Sequence, residues 1–330
     1  MTRLFIGWLS MALAAAAQTP RDLPRFQPQP MAGGVVRVMG NSHMQTLMEF
    51  WEAGFHRFHP DAIFQTRYLG TANAIAGLYL ETSDIALMGR EIIPMEDIAY
   101  RRVFPEGPLG LAVASASFNV PLETFAFAIF VNRRNPIEKL SLRQLSAIFG
   151  CTSAPVRTWG DLGLTGEWAA RPIHLHGYEI DSGLGYFFQQ RVLGGSRKWN
   201  CGLHEYANAY GPNRKLLANA GDLIVKAVEE DESAVGFCGF GHATPGVKAL
   251  PLSEDGVHSV ALTRENVANR SYPLTRTIYM FINRRPATPL VGEFLRYVLS
   301  AEGQNDVAGQ QIYLPLPAAV VRGELAKLHE

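Results

Sequence analysis

Short apolar runs that end in small polar turns alternate with segments of helical periodicity in the first third of the chain. The first run, 35–39, ends in the turn 40–43, after which apolar side chains recur at helical spacing over 44–58. Two further runs, 63–68 and 84–88, also end in small polar turns. Strands that alternate with helices predict an open α/β sheet, whose ligand lies beyond the carboxyl ends of its strands.

The stretch 177–188 has the strongest pattern for binding an anion. It follows the strand-like run 172–176, and its Asp-Ser-Gly sequence leads into a helical pattern. The first N–H groups of a helix have no acceptor within the helix, so such a start suits an anion, and the Ser182 hydroxyl can add a hydrogen bond. On this stretch alone, a simple cap formed by Asp181 or Ser182 is the plainer interpretation.

Two strand-like runs, 127–134 and 279–285, contain the same Asn-Arg-Arg ending. A single domain does not need two strands with the same ending. A chain that crosses from one lobe to another and back has two equivalent crossing strands, which explains the repeat. We therefore predict an α/β protein of two Rossmann-like lobes joined by two hinge strands. Lobe 1 is expected to comprise 35–130 plus 278–330, and lobe 2 to comprise 131–277.

The first 17 residues are typical of a secretory signal peptide. Arg3 supplies a positive charge, an apolar run follows from Leu4 to Ala14, and small residues close the segment. We expect cleavage near Ala17 and a periplasmic or secreted mature chain, because the apolar run is too short for a membrane span. The Pro- and Gln-rich segment 18–34 is expected to form a loose leader or linker before the first strand.

Composition narrows the class of partner. The 330-residue chain is 47% hydrophobic, and its 30 basic residues balance its 30 acidic residues. This balance gives no electrostatic case for nucleic acid or an anionic membrane surface.

Three cysteines in an exported protein allow at most one internal disulfide, and their flanking sequences favour a Cys151–Cys201 bridge with Cys238 buried and free.

Metal and catalytic interpretations have weaker support. His174 and His176 would share one face of a strand, and His56 and His59 lie three apart on a helix, but neither pair has a third ligand at recognisable spacing. Ser182 lacks the Gly-x-Ser-x-Gly pattern of a nucleophile, because no glycine stands two residues before it. We therefore predict no metal, no cofactor and no enzymatic activity.

Several motifs late in the chain occur in an order that a known family shares. They are Ser-Tyr-Pro-Leu-Thr-Arg at 271–276, Leu-Ser-Ala-Glu-Gly-Gln at 299–304 and Tyr-Leu-Pro-Leu-Pro at 313–317, with support from 145–150, Trp159 and 234–240. In this order they resemble the phosphate-type substrate-binding proteins, the periplasmic receptors of ABC phosphate importers. The resemblance runs from about residue 35 to the C-terminus and implies the type II periplasmic binding protein fold, with ligand in the cleft between the lobes.

The resemblance also implies ligand contacts at the turns described above. Two turns belong to lobe 1 and one to lobe 2, where the family's Ser-Gly-Thr triplet corresponds to Ser-Gly-Leu and loses the threonine hydroxyl. The expected contacts at these turns are Asn41, Ser42, His43, Thr71, Asp181, Ser182, Gly183 and Leu184.

Two charges of the best-known phosphate sites are missing. Where those sites have an Asp after the third strand and an Arg before the triplet, this chain has Gly89 and Tyr178, and Tyr178 is expected to contact the ligand from that position. A branch of the family ends the third strand in Ser-Arg, which Gly89-Arg90 resembles, so Arg90 is expected to contact the ligand as its cation. An ion pair of Arg90 with Glu91 or another acid is the alternative.

The implied function is that of an extracytoplasmic solute-binding protein. A monomer would close on a small oxyanion, phosphate first, and present it to an ABC permease in the inner membrane. Two alternatives stay open. One is the same fold with another anion or a small organic ligand, and the other is a receptor or adaptor protein without a transport role.

Overall fold

The computed structural model describes residues 22–120, 123 and 125–329. The strands are β1 Gly34–Gly40, β2 Ala62–Arg67, β3 Ile85–Met88, β4 Leu109–Ser115, β5 Phe127–Asn132, β6 Leu140–Ser141, β7 His174–Tyr178, β8 Leu203–Tyr206, β9 Ala209–Tyr210, β10 Leu216–Ala218, β11 Ala234–Gly239, β12 Val247–Ala249, β13 Leu252–Ser253 and β14 Thr277–Ile282. The predicted signal peptide and residues 18–21 lie outside the described residues.

Helices alternate with strands over part of the chain, and the last three helices follow one another after β14. The α-helices are α1 Gln45–His56, α2 Thr71–Tyr79, α3 Pro94–Arg101, α4 Leu142–Phe149, α5 Gly183–Val192, α6 Ala220–Glu230, α7 Arg264–Ala268, α8 Pro289–Val298, α9 Ala301–Gly309 and α10 Ala318–Ala326. Short 3-10 turns occur at Ser42–Met44, Trp159–Leu162, Gly166–Trp168, Pro212–Arg214, Phe240–His242 and Lys327–His329. Among the described helices, none is long and apolar enough to cross a membrane.

Two five-stranded sheets form the frame of the molecule. The first has the order β2-β1-β3-β14-β4, with β1, β2 and β3 parallel and β14 antiparallel to both of its neighbours. The second has the order β12-β5-β11-β7-β8, with β7, β8 and β11 parallel and β5 antiparallel to its neighbours. The prediction of two α/β lobes is confirmed.

The crossings between the lobes lie just before the two strands whose endings echo each other. β5 belongs wholly to the second sheet and β14 wholly to the first, so these strands follow the crossings, and the boundary expected at 130/131 falls inside β5. The two crossing segments meet side by side: Ala116 N–H donates to Arg276 O at 3.0 Å, and Phe127 N–H donates to Leu274 O at 3.1 Å. We call these paired segments the hinge.

Each lobe has its own aromatic core. Trp51, Phe55 and Phe294 are fully buried between the helices and sheet of lobe 1. In lobe 2 the Phe188 and Phe237 rings stack with centroids 3.9 Å apart. Fully buried strands such as β3, β5 and β11 explain why those runs are continuously apolar rather than alternating.

The segment before β1 is not loose. Phe26 is 7% exposed and packs against the rings of Phe58 and Tyr297, with centroids 5.2 and 5.3 Å away. Its N–H also donates to the Glu302 carboxylate at 2.8 Å. Composition suggested a flexible leader, but one phenylalanine with an apolar site on lobe 1 anchors this segment.

The expected Cys151–Cys201 disulfide is wrong. All three cysteines are free, with Cys151 and Cys201 exposed and Cys238 buried. The Cys151 N–H donates to Lys198 O at 2.7 Å in an antiparallel pairing, so Cys201 lies three residues beyond the position opposite Cys151. That offset is about 10 Å along a strand, whereas a disulfide needs Cα atoms within about 7 Å.

Candidate anion-binding site

A cleft of about 650 Å³ lies between the lobes, at the carboxyl ends of β1, β3, β7 and β11. Strands of both sheets end at this cleft, and the carboxyl ends of the strands are where an open α/β sheet binds its ligand. The residues that line it are Asn41, Ser42, His43, Met44, Thr71, Ala72, Gly89, Arg90, Glu123, Phe125, Tyr178, Gly183, Leu184, Asn208, Tyr210, Leu216, Asn219, His242 and Arg276. Eight of the ten expected contacts therefore share one cleft, while Asp181 and Ser182 do not line it.

The start of α2 opens into this cleft without a cap. Gly70 precedes it with φ 93°, a left-handed conformation that favours glycine, and has no side chain to bond the first N–H groups. Thr71 and Ala72 line the cleft, so their N–H groups are left for a ligand. Asn41 Nδ2 donates to Thr71 Oγ1 at 3.0 Å, which leaves the hydrogen of that hydroxyl for the same ligand.

The start of α5 is capped, in agreement with the plainer interpretation of that stretch. Ser182 Oγ accepts from Gly185 N–H at 3.0 Å and donates to Glu179 O at 2.6 Å. Its only hydrogen is thus committed to the backbone. Gly183 and Leu184 do line the cleft, and as the first residues of α5 they present N–H groups that have no acceptor within the helix.

Arg90 lies in the cleft wall but is already paired. Its two terminal nitrogens donate to the two carboxylate oxygens of Glu96 at 2.8 and 2.6 Å, and Nη1 also donates to Glu91 O at 2.9 Å. Both side chains of the pair are mostly buried, at 9% and 12% exposed. This bidentate contact neutralises the charge of Arg90, so the structure has the ion pair that the sequence left as the alternative.

Arg90 also joins the two lobes. A Cβ atom added to Gly183 would lie 3.0 Å from Arg90 Cδ, so the side chain packs directly against the start of α5. Arg90 is therefore paired with Glu96 in lobe 1 and packed against lobe 2.

Arg276, in the hinge, is the cationic group that the sequence analysis did not assign to the ligand. It is 6% exposed and lines the cleft, and Nη2 donates to Gly89 O at 2.7 Å. Its Nε is buried and has no hydrogen-bond partner, and no carboxylate of the described residues forms an ion pair with it. A buried guanidinium with open donors in a cleft is a site for an anion.

Aromatic rings form the other side of the Arg276 environment. The guanidinium carbon lies 5.9 Å from the ring centres of Phe125 and Phe127 and 5.7 Å from that of Phe187. Burial lowers the pKa of Arg276 to about 10, so the side chain stays charged at neutral pH. Cation–π contacts with these rings offset only part of the hydration free energy that the guanidinium loses on burial.

Tyr178 forms a neutral wall beside this charge. It is 4% exposed, and burial raises the pKa of its hydroxyl well above the usual range, although the nearby Arg276 opposes that rise. Its ring stacks against Phe125, with centroids 6.4 Å apart. Tyr178 therefore occupies the place expected for a ligand-binding arginine, while the hinge supplies an arginine from another direction.

The cleft also contains side chains outside the expected set. Glu123 accepts from the Tyr313 hydroxyl at 2.8 Å, and His242 bonds to Asp222 through Nδ1 at 2.8 Å. Asn208 and Asn219 use their side-chain oxygens on the N–H groups that open α6. In the described ranges, no three His, Cys, Asp or Glu side chains come together as a metal site.

Comparison with known proteins agrees with this architecture. The sequence profile of the family described as "PBP superfamily domain" matches residues 18–302. The phosphate-binding protein PstS of Pseudomonas aeruginosa is 30% identical over 96% of this chain and 94% of its own length. This chain belongs to the PBP superfamily, in the family of PstS proteins. The recognition from sequence motifs is confirmed.

More distant members of the superfamily share the fold. The phosphate-binding protein PstS of Bacillus subtilis is 24% identical over 86% of this chain and 82% of its own length. An ABC-type phosphate transport receptor from Vibrio cholerae superimposes with a TM-score of 0.56 at 20% identity, over 86% of this chain and 100% of that one. PstS from Borrelia burgdorferi does so with a TM-score of 0.57 at 14% identity, over 86% and 99%.

Proposed function

We propose that the protein captures phosphate outside the cytoplasm and delivers it to an ABC permease of the inner membrane. Family membership supports this role, since the relatives reported above carry the names of phosphate-binding proteins and of a phosphate transport receptor. The observation that carries the proposal is Arg276, a buried cation in the cleft with open donors and no ion-pair partner among the residues that the structure describes.

The site has enough positive potential to attract a dianion. Arg276 contributes one positive charge, and each helix start contributes a partial charge of about +0.5 through its aligned peptide dipoles. With α2 and α5 both opening into the cleft, these groups supply about two positive charges, and the carboxylate of Glu123, which also lines the cleft, opposes part of that potential. The N–H groups of Thr71, Ala72, Gly183 and Leu184 supply the hydrogen bonds that replace the lost water.

The donors come from both lobes and the hinge. α2 belongs to lobe 1, α5 to lobe 2, and Arg276 to the hinge itself, where its carbonyl also bonds the opposite crossing segment. A ligand held by all three favours the closed arrangement of the lobes, because only that arrangement brings every donor within reach. The proposed cycle is capture and release, without covalent chemistry.

The cellular setting forms part of the same proposal. Export would follow cleavage near Ala17, and the mature chain would act as a monomer on its permease. The balanced count of 30 basic and 30 acidic residues supports a partner other than nucleic acid. Mass spectrometry of the exported protein tests the cleavage site, and light scattering tests the monomer.

Calorimetric titration of the mature protein, refolded in phosphate-free buffer, tests the ligand. Phosphate, sulfate, molybdate and small carboxylates are compared, and phosphate is expected to bind most tightly. In Arg276→Gln the affinity for phosphate should fall at least tenfold, since a charge-assisted hydrogen bond contributes about 1.5 to 3 kcal/mol. Arg134→Gln, which changes an exposed arginine paired with Glu232, is the matched control. An absence of heat for every anion would disprove the proposal.

A further inference from the structure

One histidine in the cleft can carry a positive charge, and the proposed function does not use it. His242 closes the 3-10 turn directly after β11, so it lies at the same edge of the second sheet as Tyr178. Its side chain is 4% exposed and lines the cleft. The ring stands edge-on to Phe125, with centroids 6.1 Å apart, and a Cβ atom at Gly221 would overlap it. The imidazole is therefore fixed in place by packing.

Asp222 determines which ring nitrogen is left for the cleft. Its Oδ1 lies 2.8 Å from His242 Nδ1. A carboxylate only accepts hydrogen bonds, so Nδ1 carries a proton in this contact. Nε2 has no hydrogen-bond partner among the described residues. A nearly buried ring thus presents one unpaired nitrogen beside an anion-binding cleft.

The groups around His242 leave few charges to consider. On β7 and β11, burial raises the pKa values of Tyr178 and Cys238 well above their usual ranges, so both are neutral. The charged groups are Asp222 on α6, Arg276 in the hinge, Glu123 at the cleft and the Arg90–Glu96 ion pair in the cleft wall. His43, which lies 3.8 Å from Glu123, is a further imidazole in the cleft lining. Asp222 is 70% exposed and screened by water, whereas Arg276 is buried.

We propose that His242 binds the captured anion through Nε2 as an imidazolium, so that anion binding takes up a proton and strengthens as the pH falls. This inference rests on the proposed function and adds a residue and a pH response to it. Both side chains line the cleft, so an anion bound there attracts a positive charge on each of them.

The coupling is reciprocal, which fixes the sign of the response. If the anion favours the imidazolium, the imidazolium favours the anion by the same factor. Imidazole side chains change charge between about pH 5 and 8. Affinity due to this contact is therefore greatest at low pH and is lost as the pH rises through that window. A charge-assisted hydrogen bond corresponds to about a tenfold change in affinity.

His242→Gln is the direct test, because the glutamine amide can still donate a hydrogen bond near the position of Nε2 but does not titrate. Phosphate affinity is measured by calorimetry at pH 8.0, 7.0, 6.0 and 5.5 in wild type and variant. Phosphate itself titrates in this range, and the ratio of the two affinities removes that contribution. The ratio is expected to change about tenfold in favour of the wild type as the pH falls.

His258→Gln is the matched control. His258 forms the same Nδ1 contact with an aspartate, Asp255, at 2.7 Å, but it is 85% exposed and does not line the cleft. Its pH profile should follow that of the wild type. Asp222→Asn tests the positioning of the ring, and its affinity at pH 5.5 should fall toward that of His242→Gln.

A second measurement needs no substitution at His242. NMR of the wild-type protein with labelled imidazoles follows the titration of His242 with and without saturating phosphate. Phosphate is expected to move its midpoint upward by about one pH unit, the equivalent of the tenfold coupling. An unmoved midpoint, or an affinity ratio that is flat with pH, overturns the inference while phosphate binding itself stands. Failure of wild type to bind phosphate at any pH would instead disprove the proposed function.

Discussion

Replacement of Arg276 by methionine should leave the empty protein at least as stable as the wild type and weaken its binding of phosphate. The guanidinium is buried among Phe125, Phe127 and Phe187, and no carboxylate in the described part of the chain forms an ion pair with it. Methionine has a similar length, no charge and a favourable contact with aromatic rings. An uncompensated buried charge is a cost in the empty state that only the ligand offsets.

The magnitude follows from the environment of the charge. Burial lowers the pKa of Arg276 from 12.5 to about 10, which corresponds to about 3 kcal/mol against the charged form. The lost hydrogen bond to Gly89 O, 2.7 Å long, has a charged donor and offsets about 1.5 to 3 kcal/mol of that gain. The free energy of unfolding of Arg276→Met should therefore stay unchanged or rise by up to about 1.5 kcal/mol, and its melting temperature should rise by at most a few degrees.

Thermal melts with and without phosphate separate the two effects. Phosphate at 100 times the dissociation constant of the wild type should add about 2.7 kcal/mol to the wild type and at most about 1.4 kcal/mol to Arg276→Met, whose affinity is at least tenfold lower. The variant is thus expected to be at least as stable as the wild type without phosphate and the less stable protein with it. A variant that is less stable in both conditions and gains as much stability from phosphate as the wild type would refute the assignment of Arg276.

Three further predictions concern the Arg90–Glu96 ion pair, the glycine at the start of α5 and the cysteines. Glu96→Gln leaves Arg90 without its bidentate partner and should cost about 3 kcal/mol in urea denaturation; a change below about 0.5 kcal/mol would contradict the buried ion pair. Gly185→Ala should destabilise the protein by about 1 to 3 kcal/mol and weaken phosphate binding, because the new methyl group overlaps the backbone of the turn before α5. Gly323→Ala in α10, with no atom within 4 Å of the new methyl group, should instead be neutral or slightly stabilising. A thiol reagent should modify two cysteines of the native protein and Cys238 only after denaturation; fewer than two accessible thiols, restored by reductant, would indicate a disulfide.

Periodicity was sufficient to predict the lobes because each strand and helix buries one face. The runs at 35–39, 63–68 and 84–88 are strands in the structure, with ends shifted by at most one residue. The motif order identified the family for a related reason, since those motifs mark strands, turns and caps of one fold. The sequence located the crossings between the lobes less accurately. The repeated Asn-Arg-Arg ending marks two similar strands but does not reveal which sheet each strand joins.

The roles of individual site residues depend on which side chains the fold brings beside them. Arg90 is paired because Glu96, in the first turn of α3, folds back toward it and also bonds Ile93 N–H at 3.1 Å. Arg276 has no ion-pair partner among the described residues because the hinge surrounds it with aromatic rings, and Glu91 acts on it only through its charge, without a salt bridge. Neither fact follows from spacing along the chain, so the arginine expected at the ligand was the paired one.

Local chemistry was the safer guide at Ser182. A serine before a helix start is most often its cap, and the hydroxyl here bonds only backbone groups. The same turn still serves the cleft through the N–H groups of Gly183 and Leu184. The leader and the cysteines differ from expectation because packing of Phe26 and the pairing register at Cys151 are set by the folded lobes.

The most direct test of the central claim is a crystal structure of the mature protein at saturating phosphate. We predict phosphate in the cleft, with one oxygen hydrogen-bonded to the Arg276 guanidinium and others to the N–H groups that open α2 and α5. Arg90 should remain paired with Glu96. A phosphate ion held by Arg90, with Arg276 still lacking an anionic partner, would contradict the account.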